Sequence, residues 1–246
     1  MRASTWEILT IVLLVTLSSF GCDRPDSRTD PRGEPDPQVD LAATPEPQVD
    51  LTAAPDPKVE ETLNEGSGQG TAVFAGGCFW CTEAVFEQLE GVTDVVSGYA
   101  GGRPDTANYG AVSSGRSDHA EAIRIGYDPD RISYDTLLEV FFTVAHDPTQ
   151  KDRQGPDVGR QYRSAIFHVS EDQKRGAEEA IRRFESAGTL NRPIVTTLEA
   201  LDRFHPAEEY HQDYVERHPN DRYVLVNALP KVRKLRKKFA DRVRGH

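Results

Sequence analysis

Thr71-Ala72-Val73-Phe74-Ala75-Gly76-Gly77-Cys78-Phe79-Trp80-Cys81-Thr82-Glu83 is the stretch on which the reading of this chain turns. Thr71–Ala75, apolar and closed by a glycine pair, has the signature of a strand. Helical spacing of apolar residues takes over from Phe79 to Leu89. Two glycines thus join a strand to a helix, with Cys78 at the helix start. A cysteine there meets unpaired backbone N–H groups and the positive end of the helix dipole, which favour thiolate over thiol. Thiolate is the nucleophilic form. Phe79 and Trp80 add an apolar wall, so the segment reads as a site for a small, apolar, electrophilic group.

Outward from this unit, strand signals fall at Val92–Tyr99, Glu121–Tyr127, Ser164–Val169 and Ile194–Leu198. Helical spacing falls at Ser133–Ala145, Glu171–Ala187, Ala207–Arg217 and Lys231–Val243, with Ser133 placed as an N-cap. Strands separated by helices argue for a mixed sheet with helices packed on it, in one domain over residues 71–246. The connections around residues 98–115 and 145–159 are long, and long ordered loops often carry function.

The remaining N-terminal residues have a different character. Residues 1–21 hold Arg2, an apolar run Ile8–Leu17 and small residues before Cys22. The run is too short for a comfortable membrane span and reads as a lipoprotein-type signal peptide, leaving Cys22 as the lipidated first residue. An uncleaved anchor or a cut elsewhere is the alternative; each places the domain outside the cytoplasm, on the periplasmic or cell-surface side.

Residues 22–70 read as a disordered spacer. They carry half of the 16 prolines and a tandem repeat, Pro35–Thr44 then Pro45–Ala54, decaying from Pro55. Proline and acid together prevent a packed core. Twelve acids against four bases give this spacer −8 of the formal net charge of −11. Arg2 and Glu7 cancel, so the domain itself is left with −3 and the acidic balance says nothing about a substrate. No basic stripe suited to nucleic acid is present outside the C-terminal end, Lys231–Arg244. That stretch could touch anionic lipid, although a terminal helix docked on the domain with a solvated basic face explains it equally simply.

Cysteine usage narrows the chemistry. With Cys22 lipidated, Cys78 and Cys81 are the only free thiols, which excludes a disulfide framework. Positions three apart in a helical turn lie within disulfide reach. His119, His146, His205 and His211 are scattered at no metal-ligand spacing, so no zinc site is expected. No glycine-rich phosphate loop follows a strand, so no nucleotide cofactor is expected either. The sole methionine is Met1, in keeping with work among oxidants, though chance could also produce it.

The Gly77-Cys78-Phe79-Trp80 run resembles the signature of the A-class peptide-methionine sulfoxide reductases, and similar blocks follow in order. They are Gly98-Tyr99-Ala100-Gly101-Gly102, Asn108-Tyr109, His119-Ala120-Glu121-Ala122, Gln154-Gly155-Pro156-Asp157, Gln161-Tyr162-Arg163-Ser164-Ala165 and Ala207-Glu208-Glu209-Tyr210-His211-Gln212-Asp213-Tyr214. The resemblance covers residues 71–240. It implies an α+β two-layer sandwich with a ferredoxin-like, split βαβ sheet, acting as a single catalytic domain. It further implies thiol-dependent repair of the S epimer of methionine sulfoxide, free or in proteins, with a thioredoxin-like reductant, no bound cofactor and a monomeric state.

Reducing a sulfoxide needs a nucleophilic thiol, an acid to protonate the oxygen and a cavity for the methyl group. Cys78 is the candidate nucleophile; the bland reading is a small buried hydrophobe. Cys81 is the candidate resolving thiol, condensing with a Cys78 sulfenic acid. Many relatives have glycine there and resolve with cysteines near the C-terminus, which this chain lacks, so an external thiol acting directly on the sulfenate is the other route. Glu121 shares a strand face with Ile123, Ile125 and Tyr127; a buried carboxyl has a raised pKa and can donate a proton at neutral pH. The pattern alone leaves an exposed strand-end glutamate equally open.

By resemblance, Phe79 and Trp80 surround the substrate methyl, Tyr109 and Tyr223 donate to the sulfoxide oxygen, and Asp157 orients a water or the peptide. Adjacent helical residues cannot share a face, so at least one of Phe79 and Trp80 is expected to line the cleft. Two readings of other kinds stand beside this one. A thiol–disulfide exchange protein would also place Cys-x-x-Cys at a helix start; a non-catalytic surface module would leave the thiols without a role.

Overall fold

The structure, a computed structural model, describes residues 68–245. The expected signal peptide, Cys22 and all but the C-terminal edge of the expected spacer lie outside the described residues. The strands are β1 (Gly70–Gly76), β2 (Val92–Ala100), β3 (Ala120–Tyr127), β4 (Arg153–Gln154), β5 (Asp157–Val158), β6 (Ser164–His168), β7 (Thr197–Ala200) and β8 (Phe204–Pro206). The α-helices are α1 (Phe79–Phe86), α2 (Tyr109–Ser113), α3 (Tyr134–Val140), α4 (Glu171–Ser186), α5 (Tyr214–Arg217) and α6 (Leu229–Lys238). Among the described residues no helix is long and apolar enough to cross a membrane.

Six strands form the main sheet in the order β7-β6-β1-β3-β2-β8, while β4 and β5 make a separate small ribbon. β1 pairs antiparallel with both β3 and β6, and β2 pairs antiparallel with β3. α1 therefore carries the chain past the position that β3 later fills, which is the split βαβ arrangement. β8 extends one edge antiparallel and β7 the other in parallel, so the sheet is mixed. The α+β class and the single domain expected from sequence are what the described residues have.

Alternation along the central strands gives each face its own core. Ala72 and Phe74 of β1 and Ile123, Ile125 and Tyr127 of β3 face the helices and join Phe86, Leu137, Leu138 and Phe141 in the main core. The opposite face is built from Val73, Ala75, Ala100, Ala120, Ala122, Ala165 and Phe167. Alanine dominates there. Burying a phenylalanine side chain is worth roughly 1.5–3 kcal/mol, so the helix-covered face supplies most of the apolar stabilisation.

Where the sequence pattern is amphipathic, the expected elements form. Ser133 caps α3 by accepting from the Thr136 N–H, and Ser170 caps α4 by accepting from the Gln173 N–H. The expected Ser133–Ala145 helix is α3 continued by a π-helical turn, Phe141–Ala145, which ends at extended His146. The last stretch departs more. Ala207–Arg217 is not one helix: Glu209–His211 is a 3₁₀ turn and α5 spans only Tyr214–Arg217. Between them Asp213 adopts φ 51, a left-handed conformation that no continuous helix contains. The expected strand at Ile194–Leu198 begins later, as β7, and β8 was not anticipated. The C-terminal helix starts earlier than Lys231, following a second π-helical turn at Val224–Ala228, and stops at Lys238; Val243 instead bridges to Leu89.

Candidate active site

Gly77 has φ +89, and a Cβ there would lie 2.5 Å from the Gln154 side chain. Both the turn and the close packing call for glycine. The turn delivers Cys78 to the N-cap position of α1, where its carbonyl accepts from the Cys81 N–H at 3.1 Å. Cys78 and Cys81, with Val224 and Ala228, form a small buried cluster that Trp80, Tyr162, Tyr214 and Tyr223 close over. Cys78 is 7% exposed and Cys81 1%. Each sulfur shifts the ionisation of the other.

Glu121 lies under the helix start, 2% exposed, and its Oε2 accepts from the Phe79 N–H at 3.1 Å. One contact settles two questions. Glu121 is the buried partner of the cysteine helix, not an exposed strand-end residue. The helix donor expected to favour a Cys78 thiolate is engaged by a carboxyl instead. Burial first raises the Glu121 pKa, to about 8, despite that hydrogen bond. Cys78 is pushed well above its usual range by burial, then by its hydrogen bond to Cys81 and by the charges of Cys81 and Glu121. Cys81 goes the other way, chiefly through the hydrogen bond from Cys78, with Lys231 contributing. These directions favour the thiol at Cys78, against the thiolate expected from its place on the helix. Desolvation outweighs the dipole.

The remaining expected residues divide. Tyr223 donates to Asp157 Oδ2 at 2.6 Å and accepts a longer contact, 3.9 Å, from Cys81 Sγ. Asp157 therefore orients a tyrosine here, and burial raises its pKa. Trp80 is half-buried: its indole stacks on Tyr214 at 3.7 Å and 6° and meets Tyr223 edge-on at 6.0 Å. Phe79 is 1% exposed in the main core, against Tyr99 and His211. Only Trp80 of the aromatic pair lines the cleft. Tyr109 opens α2 and packs on His211 at 4.6 Å.

The chain's match to known proteins follows the same geometry. The profile of the family described as peptide methionine sulfoxide reductase matches residues 70–243. The chain belongs to that family. Peptide methionine sulfoxide reductase MsrA 2 of Synechocystis sp. is 53% identical over 71% of this chain and 81% of its own length. The counterpart named MsrA from Natronomonas pharaonis is 50% identical over 70% of this chain and 97% of its own. Among solved structures, reduced Mxr1 from Saccharomyces cerevisiae superposes with TM-score 0.58 at 32% identity, covering 62% of this chain and 87% of that one. Methionine sulfoxide reductase A of Corynebacterium diphtheriae gives 0.56 at 31% identity, covering 65% and 80%.

For this peptide methionine sulfoxide reductase, sequence reasoning missed part of the site. Tyr162 closes over the cysteines, and its pKa is raised by burial first and then by the charges of Glu121, Cys78 and Asp157. Tyr214 and His211 hold Trp80 from two sides. All three lie in sequence blocks that carried the resemblance but had been given no role. Beyond the cleft, the carboxyls of Glu83, Glu87 and Asp213 come within 4.8 Å of one another. Glu83 lies on α1 and Glu87 caps its C-terminal end, while Asp213 arrives from a segment more than a hundred residues away, so no spacing announces the group.

Proposed function

We propose that the enzyme reduces the S epimer of methionine sulfoxide, free and in oxidised proteins, with Cys78 as nucleophile and Glu121 as general acid. The observation that carries this is the buried Glu121 carboxyl, hydrogen-bonded to the first turn that bears Cys78, with burial raising its pKa to about 8. Burial is what lets a carboxyl serve as acid at pH 7. The choice of epimer rests on the likeness to A-class relatives.

The substrate methyl packs on Trp80 and the sulfoxide oxygen faces Glu121, with Tyr109 as a further donor and Tyr223 as another once its hydroxyl turns from Asp157 to the oxygen. Glu121 protonates the oxygen, which makes the sulfur electrophilic. The Cys78 sulfur then attacks as it loses its own proton, which restores the one Glu121 gave. The attack forms an S–S bond. The hydroxyl then passes from the substrate sulfur to the Cys78 sulfur as the S–O and S–S bonds break, so the sulfide leaves and Cys78 is left as sulfenic acid. Sulfur of the substrate gains two electrons and Cys78 loses two. Cys81 attacks the sulfenic acid, releasing water and forming the Cys78–Cys81 disulfide, which a thioredoxin-like dithiol reduces. The short Cys81–Tyr223–Asp157 chain of contacts supports a role for Cys81 at this step.

The test is an epimer-resolved assay with dithiothreitol and a methionine sulfoxide peptide. Turnover of the S form alone, abolished in Cys78→Ser, is expected; equal turnover of both epimers, or activity surviving in that variant, refutes the reading. Cys81→Ser should complete one turnover yet fail to cycle with thioredoxin, and sustained cycling would remove Cys81 from the resolving role. We also place the enzyme outside the cytoplasm, tethered by lipid on Cys22; the support is the residue pattern before Cys22 alone. Labelled fatty acid should enter the wild type and not Cys22→Ser.

A further inference from the structure

The block Ala207–Tyr214 reaches the cleft without supplying any group used above. Its contacts show what it does. His211 is 1% exposed, and its Nδ1 accepts from the Trp80 indole N–H at 3.1 Å. An indole nitrogen only donates, so Nδ1 must be the unprotonated nitrogen and Nε2 must carry the hydrogen. Burial holds the ring neutral, with a pKa of about 4. That tautomer sends Nε2–H towards Glu208 Oε2, 3.9 Å away. Nε2 has no hydrogen-bond partner, although it is fully buried. The Glu208 carboxylate meanwhile accepts from the Tyr109 N–H at 2.9 Å and from the Tyr99 hydroxyl at 2.8 Å.

We propose that Glu208 and His211 are positioning residues: His211 fixes the Trp80 indole, Glu208 fixes the start of α2 with Tyr109, and their adjacency ties the two walls of the substrate recess together. Trp80 is then held between a stacking face, Tyr214, and a hydrogen-bond acceptor, His211. Its ring cannot rotate without losing one of them. The methyl recess is thereby set before substrate arrives, and the gap between Nε2 and Glu208 is closed by a small shift or by one bridging water. A preformed recess lowers the ordering required on binding, so loss of the clamp weakens substrate binding more than it slows chemistry.

This inference rests on the proposed role of Trp80, and the first measurement is independent of activity. In the full-length chain, nitrogen NMR should show His211 as the Nε2–H tautomer from pH 5 to 9. The Trp80 indole proton should be strongly protected from exchange. A protonated Nδ1, or a freely exchanging Trp80 indole, overturns the proposal outright.

Kinetics make the second arm. His211→Phe keeps the aromatic packing and removes the acceptor; KM should rise about tenfold, the scale of one lost buried hydrogen bond, with kcat within about threefold. His211→Gln restores an acceptor and should recover most of that loss. Wild-type KM in the phenylalanine variant rejects the clamp. Should His211→Phe fail to fold, Glu208→Gln, which cannot attract Nε2–H as a charge does, is expected to raise KM by a smaller factor and to release the Trp80 indole proton to exchange. If instead the catalytic reading is the one at fault, Cys78→Ser keeps activity while the tautomer and the indole protection stay as stated.

Discussion

Two walls enclose Cys78, and they are built by different physics. One is the strand–turn–helix from β1 to α1, backed by Glu121 on β3: regular elements, apolar periodicity and a core of large side chains. The other runs from β8 to the π-helical turn at Val224–Ala228 and contains a 3₁₀ turn, a left-handed Asp213 and a four-residue helix. Few of its side chains are buried. Polar contacts hold it instead: Gln212 to Ser97, Glu208 to Tyr99 and Tyr109, His211 to Trp80. The first wall places the reacting atoms. The second shapes the space in front of them, and irregular backbone lets closely spaced residues point several ways into one recess.

The comparison breaks most visibly at the acid. Glu121→Gln keeps the Phe79 N–H contact and the shape of the first wall but has no acidic proton. Turnover with dithiothreitol should fall about 10²–10⁴-fold, with the thermal midpoint within a few degrees of wild type. Near-normal turnover would show that the first wall only supports Cys78.

Gln212 sharpens the other side. Its Oε1 accepts from the Ser97 N–H at 2.9 Å, and its Nε2 donates to the carbonyls of Ser97 and Ala207, each at 3.0 Å. β8 stops pairing at Gly98, and a side-chain amide takes the next rung of the ladder. Gln212→Ala leaves the buried Ser97 N–H without its partner, while the Ser97 carbonyl keeps the Ala207 N–H at 2.9 Å; the cost is about 1–3 kcal/mol. Urea unfolding should register that loss, and KM should rise with it because Tyr214 and His211 shift together. A variant as stable as wild type would mean water satisfies Ser97 equally well.

What the sequence revealed follows the same division. β1, α1, β3 and α4 were legible because apolar spacing records which face is buried, and Cys78, Cys81 and Glu121 sit at fixed offsets on those elements. Glu121 needed the resemblance to separate a buried acid from a strand-end one, since alternation alone fits each. The helix expected over Ala207–Arg217 failed because its aromatic and polar residues imitate helical spacing while each serves a separate contact in the cleft. Tyr162 and His211 went unassigned for a related reason: their roles arise only when loops distant in sequence meet. The ionisation of Cys78 was misread because a helix N-terminus is visible in sequence and desolvation is not.

The smallest expected effect tests the seam between the walls, where Glu83 of α1 and its C-cap Glu87 meet Asp213. Burial first raises Glu83 to about 7 and Glu87 to about 8; for Glu87 the charge of Glu83 and the neighbouring Asp213 add to it. Arg217 pairs with Asp213 at 3.4 Å and offsets part of the negative charge. Both glutamates have folded pKa values above that of an unfolded glutamate, near 4.3. Between about pH 5 and 8 the folded state therefore holds protons that the unfolded chain has released, and stability from these groups falls as pH rises through that window. His146 and His211 have lowered pKa values, and their contribution is lost in the opposite direction, as pH falls below about 6.5. Comparing wild type with Glu87→Gln cancels the histidines. Glu87 is half-exposed, so screening reduces its share to on the order of 1 kcal/mol, or about 2–4 °C in Tm. The variant should overtake wild type between pH 7 and 8.5 and match it near pH 5. Parallel Tm curves across that range would show that Glu87 ionises freely and that the seam carries no titratable strain.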